Sequence, residues 1–321
     1  MVERYMHLTM KMQSAAPAPE CWICFDNTQS ESNLIVRDCV CRGVGAGFVH
    51  IKCLVKLAIS KTKDLDRIGV NDPNPFSKCI TCHQDFEGHS MMALAKACFD
   101  LHRNDSVGSY WNMVSTNLMS QALVQDCDYE GAENFLTTQI VTIRLHISRM
   151  SISITPTNVN NKQILEIYLA KLLLKLASVY EKKNDLVKMK AVLDESRSLS
   201  DKNDKNFNTS LAHHLARYSY LTGDKHTSLK YFEQVLQDKP NSHILQCCAV
   251  LNYEFGSKEK CVKQFERALS IITTVHGRNS PRACLVKETL CKVRDGSIEK
   301  FPLRKLGLYV LERGAAQSAN N

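Results

Sequence analysis

From about residue 90 onward, hydrophobic and polar residues alternate with the period of an α-helix, and this pattern predicts a series of helix pairs. In the uncharged run Ser106–Gln125 the apolar residues recur at helical spacing: Val107, Tyr110, Trp111, Val114 and Leu118. Only ten of its twenty residues are apolar, so the run indicates an amphipathic helix and not a membrane span. Further helices are predicted near 163–180 and 186–199.

Two stretches of this helical region repeat each other 33 residues apart. The first carries Ala212, Leu215, Ala216, Gly223, Ser228, Phe232, Val235 and Pro240, and the second carries Leu245, Cys248, Ala249, Gly256, Cys261, Phe265 and Ala268. Small residues allow paired helices to approach, glycine permits the turn, and an aromatic ring fills the space between helices. The segments Asp128–Ala132 and Glu181–Asp185 look like the turns of two earlier units.

This register resembles tetratricopeptide-repeat arrays over roughly residues 105–300. A longer linker is expected at 154–161, and a fifth, degenerate unit is expected at 281–314, where Pro302 would break its second helix. The resemblance implies a concave groove that recruits a protein through a bound peptide. A generic helical bundle is the alternative.

Composition and charge agree with a mainly α fold. Glycine and proline together number 21, well below the usual share, and an apolar fraction of 44% excludes disorder over most of the chain. The net charge of +8 lies mostly in residues 201–321, where nineteen Lys and Arg face twelve Asp and Glu. Because these lysines are dispersed at helical spacing, they indicate a solvated helix face, and nucleic-acid binding is not expected.

The fourteen cysteines are unevenly distributed, with seven of them between residues 21 and 82. No signal peptide is apparent in residues 1–20, which contain an early acid and end in a stretch that reads as flexible. We therefore expect a reducing intracellular compartment, the cytoplasm by default, with the nucleus left open.

The first cysteines form pairs with the spacing of zinc ligands. In chain order the pairs are Cys21 and Cys24, Cys39 and Cys41, His50 and Cys53, and Cys79 and Cys82. Four pairs complete two tetrahedral Zn²⁺ sites and leave no open position for a substrate, so both ions are expected to be structural. The alternative is that these are ordinary buried cysteines, which would require four closely spaced pairs to occur by chance. Spacing alone does not decide how the pairs divide between the two ions.

The surrounding residues resemble those of the RING-CH (RING-variant) zinc finger, notably Cys21-Trp-Ile-Cys24, Arg37-Asp-Cys39-Val-Cys41-Arg-Gly43 and Gly47-Phe-Val-His50. The resemblance implies that the first and third pairs share one zinc ion and that the second and fourth share the other. A PHD finger has the same ligand order but a wider second pair and an earlier histidine. The chain has one more residue than usual between Cys41 and His50, which the glycines at 43, 45 and 47 can absorb, and a long gap before Cys79.

RING-CH proteins act as ubiquitin-protein ligases by a non-covalent mechanism, so the resemblance implies no catalytic residue and no cofactor besides zinc. It implies that a ubiquitin-conjugating enzyme docks on an apolar patch formed by Trp22, Ile23, Leu57 and Ile80. His83 stands where many RING fingers carry Arg or Lys. The alternatives are a non-enzymatic interaction scaffold and, more remotely, a PHD-type reader.

Together these features predict a mainly α protein in which a small cross-braced two-zinc finger precedes an α-helical repeat array. The expected divisions are a flexible segment at 1–19, the RING-CH finger at 20–88, tetratricopeptide-like repeats at 89–301 and a tail at 302–321. The expected partners are a ubiquitin-conjugating enzyme and a protein substrate that binds the repeats.

Overall fold

The computed structural model describes residues 19–31, 33–39, 41, 47–151, 156–199, 204–238 and 240–303. Residues 1–18 of the predicted N-terminal segment and 304–321 of the predicted tail lie outside this description. The chain divides into two compact units between Gly131 and Ala132. The described residues form eleven α-helices and one two-stranded sheet, which confirms the mainly α prediction.

The first unit contains the cysteine pairs and three helices. A short antiparallel sheet pairs β1 (Ile35–Val36) with β2 (Val49–His50). It is followed by α1 (Ile51–Arg67), a 3-10 turn (Asn74–Phe76), α2 (Gly88–His102) and α3 (Tyr110–Gln125). One hydrophobic core joins all of these elements, because cysteine ligands of the finger cluster with apolar residues of α1, α2 and α3.

Asp38 ties the finger to helix α2. Its carboxylate accepts a hydrogen bond from the backbone N–H of Ser90 at 2.8 Å, and its carbonyl accepts one from Glu87 at 3.2 Å. The side chain therefore satisfies an N–H group that the first turn of the helix leaves without a partner. The predicted domain boundary at residue 88 lies inside this unit, and the division at that residue stays a prediction.

The helices of the second unit follow one another with short turns. Their bounds are α4 (Tyr129–Met150), α5 (Pro156–Lys183), α6 (Leu186–Ser198), α7 (Lys205–Leu221), α8 (Lys225–Asp238), α9 (Ser242–Glu254), α10 (Lys258–His276) and α11 (Pro281–Asp295). Helix α5 begins inside the stretch predicted as a linker, because Pro156 occupies its first position, where the missing N–H costs nothing. Of the predicted fifth unit, α11 and the irregular chain to Leu303 are described.

Four helix–turn–helix segments of the chain use the same turn. A residue in the left-handed conformation is followed directly by an N-cap residue, at Cys127-Asp128, Asn184-Asp185, Gly223-Asp224 and Gly256-Ser257. The three aspartates each accept a hydrogen bond from the backbone N–H three residues later, at 2.8 to 3.0 Å. Local hydrogen bonding thus ends one helix and starts the next.

The buried positions of these segments also coincide when the N-cap residues are aligned. The residue eight positions before the cap is small: Ser120, Ala177, Ala216 and Ala249. The residues four and eight positions after the cap are buried: Ala132, Met189, Ser228 and Cys261, then Leu136, Leu193, Phe232 and Phe265. All twelve expose 2% or less of their surface. The helical remainder is therefore consistent with a repeat array. In the last two segments the buried positions are the ones that the sequence register predicts.

Candidate metal centre

Two cysteine turns of the finger have the same backbone geometry. Phe25 follows Cys24 and His83 follows Cys82, and both adopt positive φ values, of 57° and 55°. In each turn this residue donates its backbone N–H to the carbonyl of the first cysteine at 2.8 Å. The turn closes so tightly that the sulfurs of both cysteines lie on one side of it, as a shared metal ion requires.

The first turn contributes to a cluster of four possible ligands, Cys21, Cys24, His50 and Cys53, whose ligand atoms all lie within 4.8 Å of one another. His50 ends strand β2, and Cys53 lies in the first turn of α1, so the sheet and the helix together position this pair. The distance between Cys24 Sγ and His50 Nδ1 is 3.3 Å. The donor set is three thiols and one imidazole, one of the common zinc sets.

The second turn contributes to another such cluster, formed by Cys39, Cys41, Cys79 and Cys82. The sulfurs of Cys41 and Cys79 lie 3.7 Å apart. Tetrahedral zinc with Zn–S bonds of about 2.3 Å separates its ligands by about 3.8 Å. The two clusters therefore fit two zinc ions, and they confirm the cross-braced division in which the first pair joins the third and the second joins the fourth.

The finger favours the thiolate form at the first cysteine of each turn. Burial raises the pKa of the Cys21 thiol, but hydrogen bonds from the backbone N–H groups of His50, Cys24 and Ile23 outweigh it and lower the pKa to about 7. Cys79 behaves in the same way, with its pKa lowered to about 7 by the N–H groups of Cys82 and Thr81 against the effect of burial. Zinc binds the thiolate, so these N–H groups prepare both sites for metal.

The imidazole of His50 is held in one orientation. Its side chain is buried, and Nε2 lies 2.7 Å from the carbonyl oxygen of Thr28, to which it donates. The other nitrogen, Nδ1, is left to face the cysteines as the metal ligand. A ligating histidine commonly needs such a second hydrogen bond to fix its tautomer. His83 and His89, which follow the last pair, belong to neither cluster and are exposed.

Gly47 explains part of the spacing between the second and third pairs. Its φ is +80°, and a Cβ placed there would lie 3.0 Å from Cys41 Cβ and 3.2 Å from Cys39 Sγ. Only glycine therefore allows the chain to pass this close to the second zinc cluster. Residues 42–46, including the glycines at 43 and 45, lie outside the described residues.

An apolar groove lies beside the second cluster and contains three of the four residues predicted to bind a partner. Trp22, Leu57 and Ile80 line it. Ile80 is 48% exposed. The fourth residue, Ile23, does not line the groove, and its half-buried side chain packs against the core of the finger.

Sequence reasoning missed several other residues that line the groove. Pro75 forms one side, and Lys61 and Lys78 add positive charge to the lining. Pro75 was visible only as part of the turn-forming Asp72–Pro75 stretch. Lys61 lies one helical turn after Leu57 on α1. This spacing places both side chains on one face of the helix, so Lys61 could have been predicted as a neighbour of Leu57. Among the described helices, none is both long and apolar enough to cross a membrane.

Comparison with known proteins identifies the finger. The family model described as the RING-variant domain matches residues 21–64, which hold six of the eight ligands. No curated protein matches the chain. Among solved structures, the crystal structure of BtubC (BKLC) from P. vanneervenii is 13% identical, with a TM-score of 0.47, and the match covers 70% of this chain and 87% of that one.

Proposed function

We propose that this chain, which carries a RING-variant zinc finger with two zinc sites, is a ubiquitin-protein ligase. In this proposal the finger binds a ubiquitin-conjugating enzyme and holds its ubiquitin thioester for attack by a substrate lysine. The observation that carries the proposal is the apolar groove beside the second zinc cluster, where Trp22, Leu57 and Ile80 meet. An exposed apolar patch on a small metal-bound fold is typical of a protein-binding surface.

The proposed mechanism needs positioning and no chemistry on the finger itself. The zinc ions would close the two cysteine turns and so hold the groove in shape. Ile80 lies between Cys79 and Cys82, so its side chain is fixed relative to the second cluster. The docked enzyme would react faster because its thioester is held close to the substrate lysine and correctly oriented. In favourable cases proximity and orientation lower an activation barrier by about 7 kcal/mol or more.

We further propose that the helical repeats recruit the substrate. The shared turn and the shared buried register of the four helix–turn–helix segments support a tetratricopeptide-like array. Stacked repeats of this kind present an extended surface that binds peptides. We also infer a reducing compartment, the cytoplasm or the nucleus, because the cysteine ligands must remain thiolates to hold metal.

A non-enzymatic scaffold is the second candidate, and His83 is the residue that favours it. This side chain is exposed next to the last cysteine ligand, where many RING fingers carry an Arg or Lys that helps to hold the ubiquitin thioester closed. Arg presents five N–H donors on a permanent cation, and the imidazole ring of a histidine does not match that donor set. The PHD-type reader has no comparable observation in its favour.

Discharge of a ubiquitin-charged conjugating enzyme onto free lysine tests the proposal without a substrate. We expect the zinc-loaded protein to accelerate discharge and Ile80→Ala to abolish this effect at unchanged zinc content, because a central apolar anchor commonly contributes about 2 kcal/mol or more. Ile68→Ala is the matched control, since Ile68 is 72% exposed and does not line the groove. Equal loss in both variants would refute docking in the groove.

His83→Arg separates the ligase from the scaffold. A ligase limited by weak closure of the thioester gains activity from the added cation, whereas a scaffold does not respond. If neither the wild type nor this variant accelerates discharge with any of a panel of conjugating enzymes, despite two bound zinc ions, the scaffold is the correct interpretation.

A further inference from the structure

Two lysines line the apolar groove beside the second zinc cluster, and the proposed docking of a conjugating enzyme has not used them. Lys61 belongs to α1, and Lys78 stands directly before the ligand Cys79. Both lysines are exposed. Among the described residues that line the groove, none is acidic. These two residues, the groove lysines, therefore give an otherwise apolar surface a positive charge.

Ordered backbone anchors both groove lysines. Leu57 and Lys61 lie one turn apart on α1 and both line the groove, so Lys61 extends the apolar face of this helix with a cation. Lys78 donates its backbone N–H to the carbonyl of Asn74 at 2.8 Å, and its backbone forms a β-bridge with Asp85. The two charges are thus attached at fixed points of the groove.

The charge of the groove lysines is not neutralised inside the protein. Among the described residues, none forms a hydrogen bond or an ion pair with the side chain of Lys61 or Lys78. By contrast, Lys183 and Lys188 of the helical unit both pair with Glu133. Residues 1–90 contain ten Lys and Arg and ten Asp and Glu, so the positive charge of the groove is local and does not reflect an excess in the finger.

A structural role for the groove lysines is the alternative. Cys39 and Cys79 of the second cluster also line the groove, and a zinc ion with four thiolate ligands carries excess negative charge. Cations nearby would offset that charge. This alternative predicts that replacing the groove lysines by acids releases zinc, whereas a role in binding predicts that zinc content does not change.

We propose that the groove lysines select a ubiquitin-conjugating enzyme that carries Asp or Glu beside the apolar side chain entering the groove. The inference rests on the proposed ligase function and names the class of partner that the same site takes. Charge complementarity carries it, because unpaired cations at an apolar docking surface attract an acidic neighbour and disfavour a basic one. Exposed charges of this kind act mainly on the association rate and on specificity, and salt screens them.

An NMR titration of isotope-labelled, ubiquitin-free conjugating enzymes with the full zinc-loaded chain tests the proposal. The probes are conjugating enzymes with either an acidic or a basic residue beside the apolar docking side chain, and one enzyme of the acidic set with that acid replaced by lysine. We expect the acidic set to bind more tightly, and added salt to reduce its advantage. Lys61→Glu and Lys78→Glu should each weaken binding of the acidic set by about fivefold or more and improve binding of the lysine-bearing enzyme.

Matched variants show whether the effect belongs to the groove. Lys61→Arg and Lys78→Arg should keep the preference for the acidic set, since they keep the charge. Lys63→Glu is the control, because Lys63 is an exposed residue of α1 that does not line the groove. Equal weakening by Lys63→Glu would show a diffuse charge effect and overturn the proposal. Loss of zinc from Lys61→Glu or Lys78→Glu would assign the lysines to the metal cluster and overturn it as well.

Discharge of the same enzymes onto free lysine separates this inference from the proposed ligase. Preferential binding of the acidic set without faster discharge would support the selection and refute the ligase. Faster discharge with equal binding of both sets would support the ligase and refute the selection. If no conjugating enzyme of either set binds, both are wrong.

Discussion

The two compact units of this protein are stabilised in opposite ways. In the first, ligands far apart in the sequence meet, with Cys21 and Cys53 in one cluster and Cys39 and Cys82 in the other. In the second, buried positions recur in the same register along successive helix–turn–helix segments, and large side chains such as Phe232 and Phe265 fill the core. A few strong metal bonds stabilise the finger, whereas many weak packing contacts stabilise the repeats.

The difference shows where each unit is vulnerable. A unit stabilised by metal loses its fold in one step when the metal is removed or its ligands are protonated. The reason is that the free energy of metal binding supplies the free energy of folding in such a unit. A repeated helical unit distributes its stability over neighbouring segments, so a single substitution weakens it without abolishing it. The following experiments break or sharpen this comparison, in order of decreasing effect.

Removal of metal should have the largest effect. We expect two zinc ions per chain, and chelation should unfold the finger together with α2 and α3, because these helices share its core. Zinc contributes about 10 kcal/mol or more to such small folds. Hydrogen exchange should show protection lost up to α3 and retained from α5 onward.

Single ligand variants refine this prediction. Cys39→Ser should lose about one zinc ion, whereas Cys284→Ser, an exposed cysteine of α11, should retain both. Elemental analysis showing one zinc ion or none in the wild type would rule out the cross-braced arrangement. Full protection of α2 after chelation would show that the helix folds without the finger.

Core substitutions in the repeats should have the next largest effect. Phe232→Ala or Phe265→Ala should cost about 3–5 kcal/mol, because each ring is buried and leaves a cavity. Thermal denaturation of the zinc-loaded chain measures the loss, and zinc content should not change. Val275→Ala on α10 is the control, since this side chain is 67% exposed. A melting temperature unaffected by either phenylalanine substitution would contradict the assigned register.

Two helix caps differ in the sequence separation between the capping side chain and the N–H group that it accepts from. Asp38 caps α2 across 52 residues, and Asp224 caps α8 across three. Removing either side chain with alanine should cost about 1 kcal/mol in its own unit. Hydrogen exchange should show Asp38→Ala loosening α2 and Asp224→Ala loosening α8. If Asp38→Ala loosened α8 as well, the two units would not be independent.

The turn residues should give effects no larger than those of the caps. Gly223 has a φ of +87° with nothing within 4 Å of an added Cβ, so Gly223→Ala should cost only the backbone strain of about 1 kcal/mol. Cys127 holds the equivalent position with a φ of 60°, and Cys127→Gly should stabilise the chain by a similar amount. Urea denaturation measures both. Changes of the same sign would refute the equivalence of these turns.

Much of the fold was predictable because its signals are local. Helical periodicity, the 33-residue repeat and the glycine turns each involve residues that are close in sequence, and the predicted core positions of the last two repeats are buried. The identity of these helices as tetratricopeptide repeats stays a prediction. The start of α5 was missed because the linker was expected to extend beyond Pro156, where the helix begins.

The metal ligands were predictable because zinc accepts few residue types and the cysteine pairs are short motifs. Their division between two ions was not derivable from spacing, since any two pairs can reach one ion once the chain is free to fold back. The structure decides it by placing His50 and Cys53, at the start of α1, against the first turn. The side chain of Ile23, which the sequence suggested as exposed, is half-buried against the core of the finger.

The sequence by itself determined the ligand types, the helices and their repeat, because each is specified by residues within a few turns of one another. Only the tertiary structure decided the groove beside the second cluster and the cap that Asp38 provides for α2. These features join residues that are 23 to 58 positions apart in the groove and 52 positions apart in the cap. Such contacts depend on how helices pack, and packing is set by the shape of whole surfaces and not by any local pattern.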